Sequence, residues 1–127
     1  MRIVILSDVH ANLAALEAIE EPYDVLLCLG DLVDYGPQPQ EAIHWVRERA
    51  FTVIRGNHDQ ALAYDVDCGC APVMKEASVT TRKWHTQILS AEDKRFFSHT
   101  GFDTLRIGKA IYVDLKERRK EIGRAHV

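Results

Sequence analysis

Proline and glycine are scarce in this 127-residue chain, at four and seven residues, and cysteine occurs only three times. So few turn formers exclude a collagen-like or low-complexity chain. Three thiols, an odd number, argue against a disulfide framework and for a reducing compartment. Long apolar runs are also lacking: Ile3 to Leu6 and Val25 to Leu29 fall far short of the roughly 20 residues that cross a bilayer, and no charged-then-apolar leader opens the sequence. Nor does one sign of charge dominate. Sixteen basic against nineteen acidic residues give a net charge of -3, too little field to hold nucleic acid by counterion release. What is present, 46% apolar and 28% charged residues, fits one globular domain. The expectation is a cytoplasmic protein with no membrane or nucleic-acid partner.

The order of elements points to an α/β domain. Arg2 to Ser7 is continuously apolar and β-branched, as in a parallel strand covered on both faces. An Ala/Leu/Glu-rich stretch from Leu13 to Glu20 reads as a helix ended by Pro22. Asp24 to Leu29 is a second buried strand, in which Cys28 serves as filler. After a rigid loop at Tyr35 to Pro39, residues Ala42, Ile43, Val46 and Ala50 trace one face of a second helix, and Phe51 to Ile54 forms a third strand. This β-α-β-α-β rhythm predicts parallel strands joined by right-handed crossovers, with helices flanking a parallel or mixed sheet. Beyond Asp59 the pattern loosens. Asp65 to Pro72 reads as a loop, and Glu76 to Leu89 as a helix with Val79, Trp84 and Ile88 toward the core. Ser90 can cap a short helix through Phe97 with Asp93 as partner. Thr104 to Ile107 and Ala110 to Val113 read as a hairpin about Gly108-Lys109, and the charged segment 114–127 as solvated.

The residues at the carboxyl ends of the three strands carry the chemistry: Asp8 and His10 after the first, Asp31 after the second, Asn57, His58 and Asp59 after the third. Open parallel sheets bind ligands outside those ends, which delivers residues distant in sequence to one rim. Hard oxygen donors mixed with imidazole suit Mn, Fe or Zn. Two such ions about 3.5 to 4 Å apart form the usual clamp for a phosphoryl group, and Asp31, on the middle strand, is the natural bridge between them.

Ser7-Asp8-Val9-His10, Gly30-Asp31-Leu32-Val33-Asp34 and Gly56-Asn57-His58-Asp59 resemble the first three motifs of the calcineurin-like metallophosphoesterase superfamily. Tyr35 stands where the protein Ser/Thr phosphatases have Arg, and Asp59 where they have Glu. The chain is therefore more similar to the small bacterial and archaeal phosphoesterase branch. The resemblance implies a divalent-metal-dependent hydrolase of phosphodiesters or phosphomonoesters that uses a metal-activated water. In that family Asp8, His10 and Asp31 would hold the first ion, Asp31 and Asn57 the second. His58 would be the imidazole facing the phosphate, with Asp59 orienting its ring. Asn12 matches a phosphate-contacting position of some members, or else is a helix cap. Arg55 either reaches the substrate or is a solvated charge.

The later histidines of the superfamily, including a Gly-His-x-His pair, are not in this sequence. His44, His85 and His99 read as ordinary surface or partly buried residues. The resemblance covers about residues 1–113, roughly half of the four-layer α/β/β/α sandwich, and 114–127 depart from it. This predicts a truncated or frame-altered chain that binds at most one ion tightly, hydrolyses phosphate esters poorly, and self-associates through an uncovered sheet face. A catalytically inactive metal- or phosphate-binding module is the alternative. Asp65, Asp67 and Gly69 only loosely imitate a calcium loop, and Cys68-Gly69-Cys70 makes an incomplete soft-metal site.

Overall fold

The computed structural model describes residues 1–101; the expected 104–113 hairpin, the charged segment 114–127 and the boundary between them lie outside the described residues. Strands β1 (Ile3–Leu6), β2 (Val25–Cys28) and β3 (Thr52–Val53) form one sheet in the order β1-β2-β3. Both pairings are parallel, with Ile3 opposite Val25 and Leu27 opposite Thr52. The middle position is the reason β2 is apolar throughout: Val25, Leu26, Leu27 and Cys28 are all buried. Burial pushes the Cys28 thiol up to about 12, which keeps it an uncharged filler.

Strand β1 departs from its expected environment. Ile3 and Ile5 are 45% and 60% exposed while Val4 and Leu6 are half-buried, the alternation of a strand with one covered face. A continuously apolar sequence does not by itself reveal which face is covered.

Helix α1 (Leu13–Glu17) is shorter than expected and begins at Asn12, whose side chain accepts a hydrogen bond from Ala15 N at 3.1 Å. Helix α2 (Pro39–Arg49) has proline in its first turn, where no amide partner is needed, and buries Ala42, Ile43 and Val46 as its spacing predicts. These side chains join Val9, Leu16, Leu32, Val33, Leu62, Leu89 and Phe97 in one apolar core. Helix α3 (Asn57–Tyr64) starts inside the third motif. Helices α4 (Pro72–Ile88) and α5 (Ala91–Phe96) follow, the latter capped by Ser90 Oγ accepting from Asp93 N, and a 3-10 turn spans Phe97–His99. His44, expected as an ordinary flank residue, pairs through Nε2 with buried Asp93 at 2.8 Å. No helix among the described residues is long and apolar enough to cross a membrane.

Helix α4 turns the opposite way from expectation. Val79, Trp84 and Ile88, predicted toward the core, are 38%, 42% and 43% exposed, whereas Ser78 and His85 are fully buried. Ser78, Thr81, Arg82 and His85 recur at three- to four-residue intervals and so share a face. That polar face packs on the loop after β2, whose backbone groups and Asp34 demand hydrogen-bonding partners.

Candidate metal and phosphate-ester site

The loops leaving β1 and β2 run side by side. Asp8 N donates to Gly30 O at 3.1 Å, His10 N to Asp31 O at 2.8 Å, and Ala11 N to Leu32 O at 2.7 Å. This pairing holds a run of residues in the left-handed region: Asp8, His10, Ala11, Asp31, Asp34 and Tyr35 have φ between 45° and 69°. For a residue with a Cβ each such conformation costs about 1 kcal/mol or more. Concentration of that strain at one rim is a mark of functional loops. Gly30 (φ 96°) and Gly56 permit the close approach of the β2 and β3 loops. A Cβ on Gly30 would collide with the Gly56 backbone, and one on Gly56 with the Asp31 carboxylate.

The carboxylate that locks this arrangement is Asp59, fully buried. It accepts from Asp31 N at 2.7 Å, Leu32 N at 2.8 Å, Val33 N at 3.3 Å and Gly56 N at 3.0 Å. Asp59 was expected to orient the His58 ring; instead it organises the backbone of the second and third motifs. Burial, opposed by those amide hydrogen bonds, pushes its carboxyl up to about 7.

The partner of His58 is Asp34. His58 Nδ1 lies 2.7 Å from Asp34 Oδ2, which also accepts from Ser78 Oγ at 2.8 Å and from Arg82 Nη2 at 2.6 Å. Burial is the largest single effect and works against charge on both members, but the opposing contributions together exceed it: their mutual hydrogen bond with the nearby Asp31 and Asp34 charges raises His58 above the usual imidazole range, and His58, Arg82 and Ser78 together hold Asp34 below the usual carboxylate range. Asp34 and the α4 side chains were missed as site residues. Spacing of hydrogen-bonding residues along α4 was the available signal, and the scattered apolar residues of the same helix obscured it.

His85, expected at or near the surface, is fully buried. Its Nδ1 accepts from Asp34 N at 3.0 Å, which fixes the proton on Nε2, 2.8 Å from Gly36 O. Burial lowers its affinity for a second proton. With Tyr35 N donating to Thr81 Oγ1 at 2.8 Å, α4 grips three successive residues of the β2 loop.

On the outer side of the rim, Asp8, His10 and Asp31 bring one ligand atom each to within 4.8 Å of one another. His10 Nδ1 lies 2.8 Å from the Val33 carbonyl, an acceptor only, so Nδ1 bears the proton and Nε2 is left with a lone pair, 3.7 Å from Asp8 Oδ1. This is the tautomer of an imidazole metal ligand with a carbonyl behind it. Burial pushes the Asp31 carboxyl up, although its Oδ1 accepts from His58 N at 3.0 Å. The His10 and His58 rings meet edge-on at 4.9 Å, and Tyr35 contacts both, at 4.8 and 5.2 Å. Asn57 donates through Nδ2 to Cys68 O at 2.8 Å, an orientation in which Oδ1 is the remaining donor atom for a cation.

Of the two candidate substrate contacts, Arg55 is engaged elsewhere and Asn12 takes the second of its two expected roles, a helix cap. Arg55 donates to Gln60 Oε1 and to the carbonyls of Phe97 and Thr100, and its guanidinium lies over the Tyr64 ring; it pins the end of β3 to the 97–100 segment. Asn12 caps α1 with its side-chain oxygen. Contrary to the expectation of unpaired thiols, Cys68 and Cys70 are joined as a disulfide, while Cys28 is free.

A parallel α/β sheet thus gathers carboxylates, imidazoles and an amide at the carboxyl ends of three consecutive strands. The sequence profile of the calcineurin-like phosphoesterases matches residues 1–123, and the chain belongs to that family. The metallophosphoesterase of Sphaerobacter thermophilus superposes with a TM-score of 0.61 at 39% identity, over 79% of this chain and 41% of that one. A hypothetical protein of Pyrococcus horikoshii shares the fold with a TM-score of 0.55 at 21% identity, over 79% of this chain and 48% of its own. An uncharacterized protein of Methanocaldococcus jannaschii is 37% identical over 62 residues, 45% of this chain and 26% of its own length. The chain thus spans less than half the length of each of these relatives.

Proposed function

We propose that the rim is part of a phosphoester-hydrolysing centre, in which Asp8, His10 and Asp31 hold one divalent cation, Mn, Fe or Zn, and Asp31 with Asn57 reaches toward a second. The observation that carries the reading is the His10 tautomer: its Nδ1 is committed to Val33 O, and Nε2 faces a carboxylate of the same three-residue cluster. Lewis-acid polarisation of the phosphoryl oxygen and a water of lowered pKa are the chemistry that bound divalent ions supply in such centres. The protein's own contribution is positioning. His58 holds its Nδ1 proton against Asp34 and keeps Nε2 for the phosphate side. Its raised proton affinity suits it to stabilise phosphate charge or to protonate a leaving oxygen. Asp59 serves as a positioning residue for Asp31 through the loop backbone.

The same donor census favours a second reading, a module that binds a metal or phosphate without turnover. Among the described residues the second ion has only Asp31 and Asn57, one of them shared, so this chain binds one ion tightly and cleaves esters weakly or not at all. Calorimetric titration of metal-free protein with Mn is expected to give one tight ion per chain, and Asp8→Asn to abolish it. Two tight ions would overturn the count. Hydrolysis of a generic activated phosphodiester with added Mn separates the weak enzyme from the inert module.

A further inference from the structure

The loop 65–71 between α3 and α4 carries two sulfurs into the edge of the rim. Cys68 is 5% and His58 7% exposed. Cys70 Sγ lies level with both ring nitrogens of His58, 3.9 Å from Nε2 and 4.0 Å from Nδ1, and Ser78 Oγ lies 3.7 Å from Cys70 Sγ and 3.8 Å from Cys68 Sγ. The sulfurs and a His58 ring nitrogen all fall within 4.8 Å of one another. A tetrahedral zinc with bonds of about 2.3 Å to sulfur and 2.0 Å to nitrogen needs sulfur-to-nitrogen separations of roughly 3.6 Å; Cys70 Sγ is near that distance, and opening the disulfide frees it to swing from its place level with both ring nitrogens toward the Nε2 lone pair.

The surroundings are those of a metal-bound imidazole. Asp34 takes the Nδ1 side of His58, the carboxylate-histidine arrangement that fixes the tautomer and raises ligand basicity. The loop is anchored independently by Asn57 donating to Cys68 O. Two thiolates neutralise a divalent cation, and a soft donor pair selects against Mg and Ca.

We propose that, once the disulfide is reduced, Cys68, Cys70 and His58 form a site for a thiophilic divalent cation such as zinc or cadmium, with Ser78 beside the remaining position. A dithiol reductant cleaves the Cys68–Cys70 bond, leaving two thiols and the reductant's own disulfide; the entering cation then displaces one proton from each thiol. The site is therefore open only in the reduced protein. Its filling also withdraws His58 from the phosphate side, a consequence that rests on the reading of His58 given above, whereas the cation site itself does not.

The test uses cadmium and the full chain, reduced with dithiothreitol and freed of it anaerobically. The expected result is one equivalent of thiolate-to-cadmium charge-transfer absorption in the ultraviolet, absent from unreduced protein and retained by Cys28→Ala. Cys68→Ser/Cys70→Ser is expected to lose the band, and His58→Gln to weaken cadmium at least tenfold. No band in reduced wild type, a band surviving the double serine variant, or unchanged affinity in His58→Gln would overturn the proposal. X-ray absorption on the loaded wild type covers variants that fail to fold: two sulfurs and an imidazole nitrogen support the site, and a shell of oxygen and nitrogen alone refutes it.

Discussion

The rim at the strand ends and the outer face of α4 obey opposite rules. At the rim, six non-glycine residues hold left-handed backbone and the Asp59 carboxylate is fully buried, each unfavourable alone and tolerable only because hydrogen bonds over-determine the arrangement. On α4 apolar side chains face outward while Ser78, Thr81, Arg82 and His85 face in. The inward face is polar because what it packs on is polar. In this chain the strained loop dictates the helix face, and the apolar pattern of the helix does not.

The strongest way to break that contrast is at Asp59. Its two oxygens accept four backbone N–H groups from two separate loops. Asp59→Ala would leave these donors buried and unpaired, at about 1–3 kcal/mol each before relaxation. A loss of about 3 kcal/mol or more is expected in urea unfolding, together with loss of tight Mn. A variant that unfolds like wild type would show that the rim backbone is held by something other than Asp59.

The three motifs announced the rim because Asp, Asn and His at strand ends are cheap to recognise and few backbones demand them together. The partnership of Asp34 with His58, and the role of Asp59 in tying loops, were not legible: Asp59 is the sequence neighbour of His58 and Asp34 is 24 residues away, and which one meets the ring depends on how the left-handed turn at Asp34 and Tyr35 aims the carboxylate. Likewise β2 was recognisable as a buried strand, whereas the exposure of Ile3 and Ile5 depends on what packs against the β1 face, which local sequence does not encode.

A paired substitution on α4 sharpens the comparison at intermediate size. His85→Ala removes a buried ring that accepts from Asp34 N and reaches Gly36 O, for an expected loss of about 2–3 kcal/mol. Val79→Ser, on the exposed face, is expected to stay within about 0.5 kcal/mol. Thermal or urea unfolding of the two variants decides the matter. Equal losses would mean that α4 uses both faces, contrary to the inverted packing.

A smaller loss than that at His85, about 1.5 kcal/mol for one charge-assisted hydrogen bond, is expected from the His58–Asp34 pair in metal-free protein. Asp34 is held below its ordinary 3.8 by His58, Arg82 and Ser78 against the opposing effect of burial, so its contribution is complete above pH 3.8 and lost as pH falls through the lowered folded value. His58 is raised above its ordinary 6.5, so its contribution is complete below pH 6.5 and lost as pH rises through the raised folded value. The stability gap between wild type and His58→Gln should therefore be widest between pH 3.8 and 6.5 and shrink on the alkaline side. On the acid side the narrowing is weaker, because Arg82 still holds Asp34 in the variant. A gap independent of pH from 5 to 9, by the scale on which imidazole titrates, would mean that the buried pair is joined by a neutral hydrogen bond.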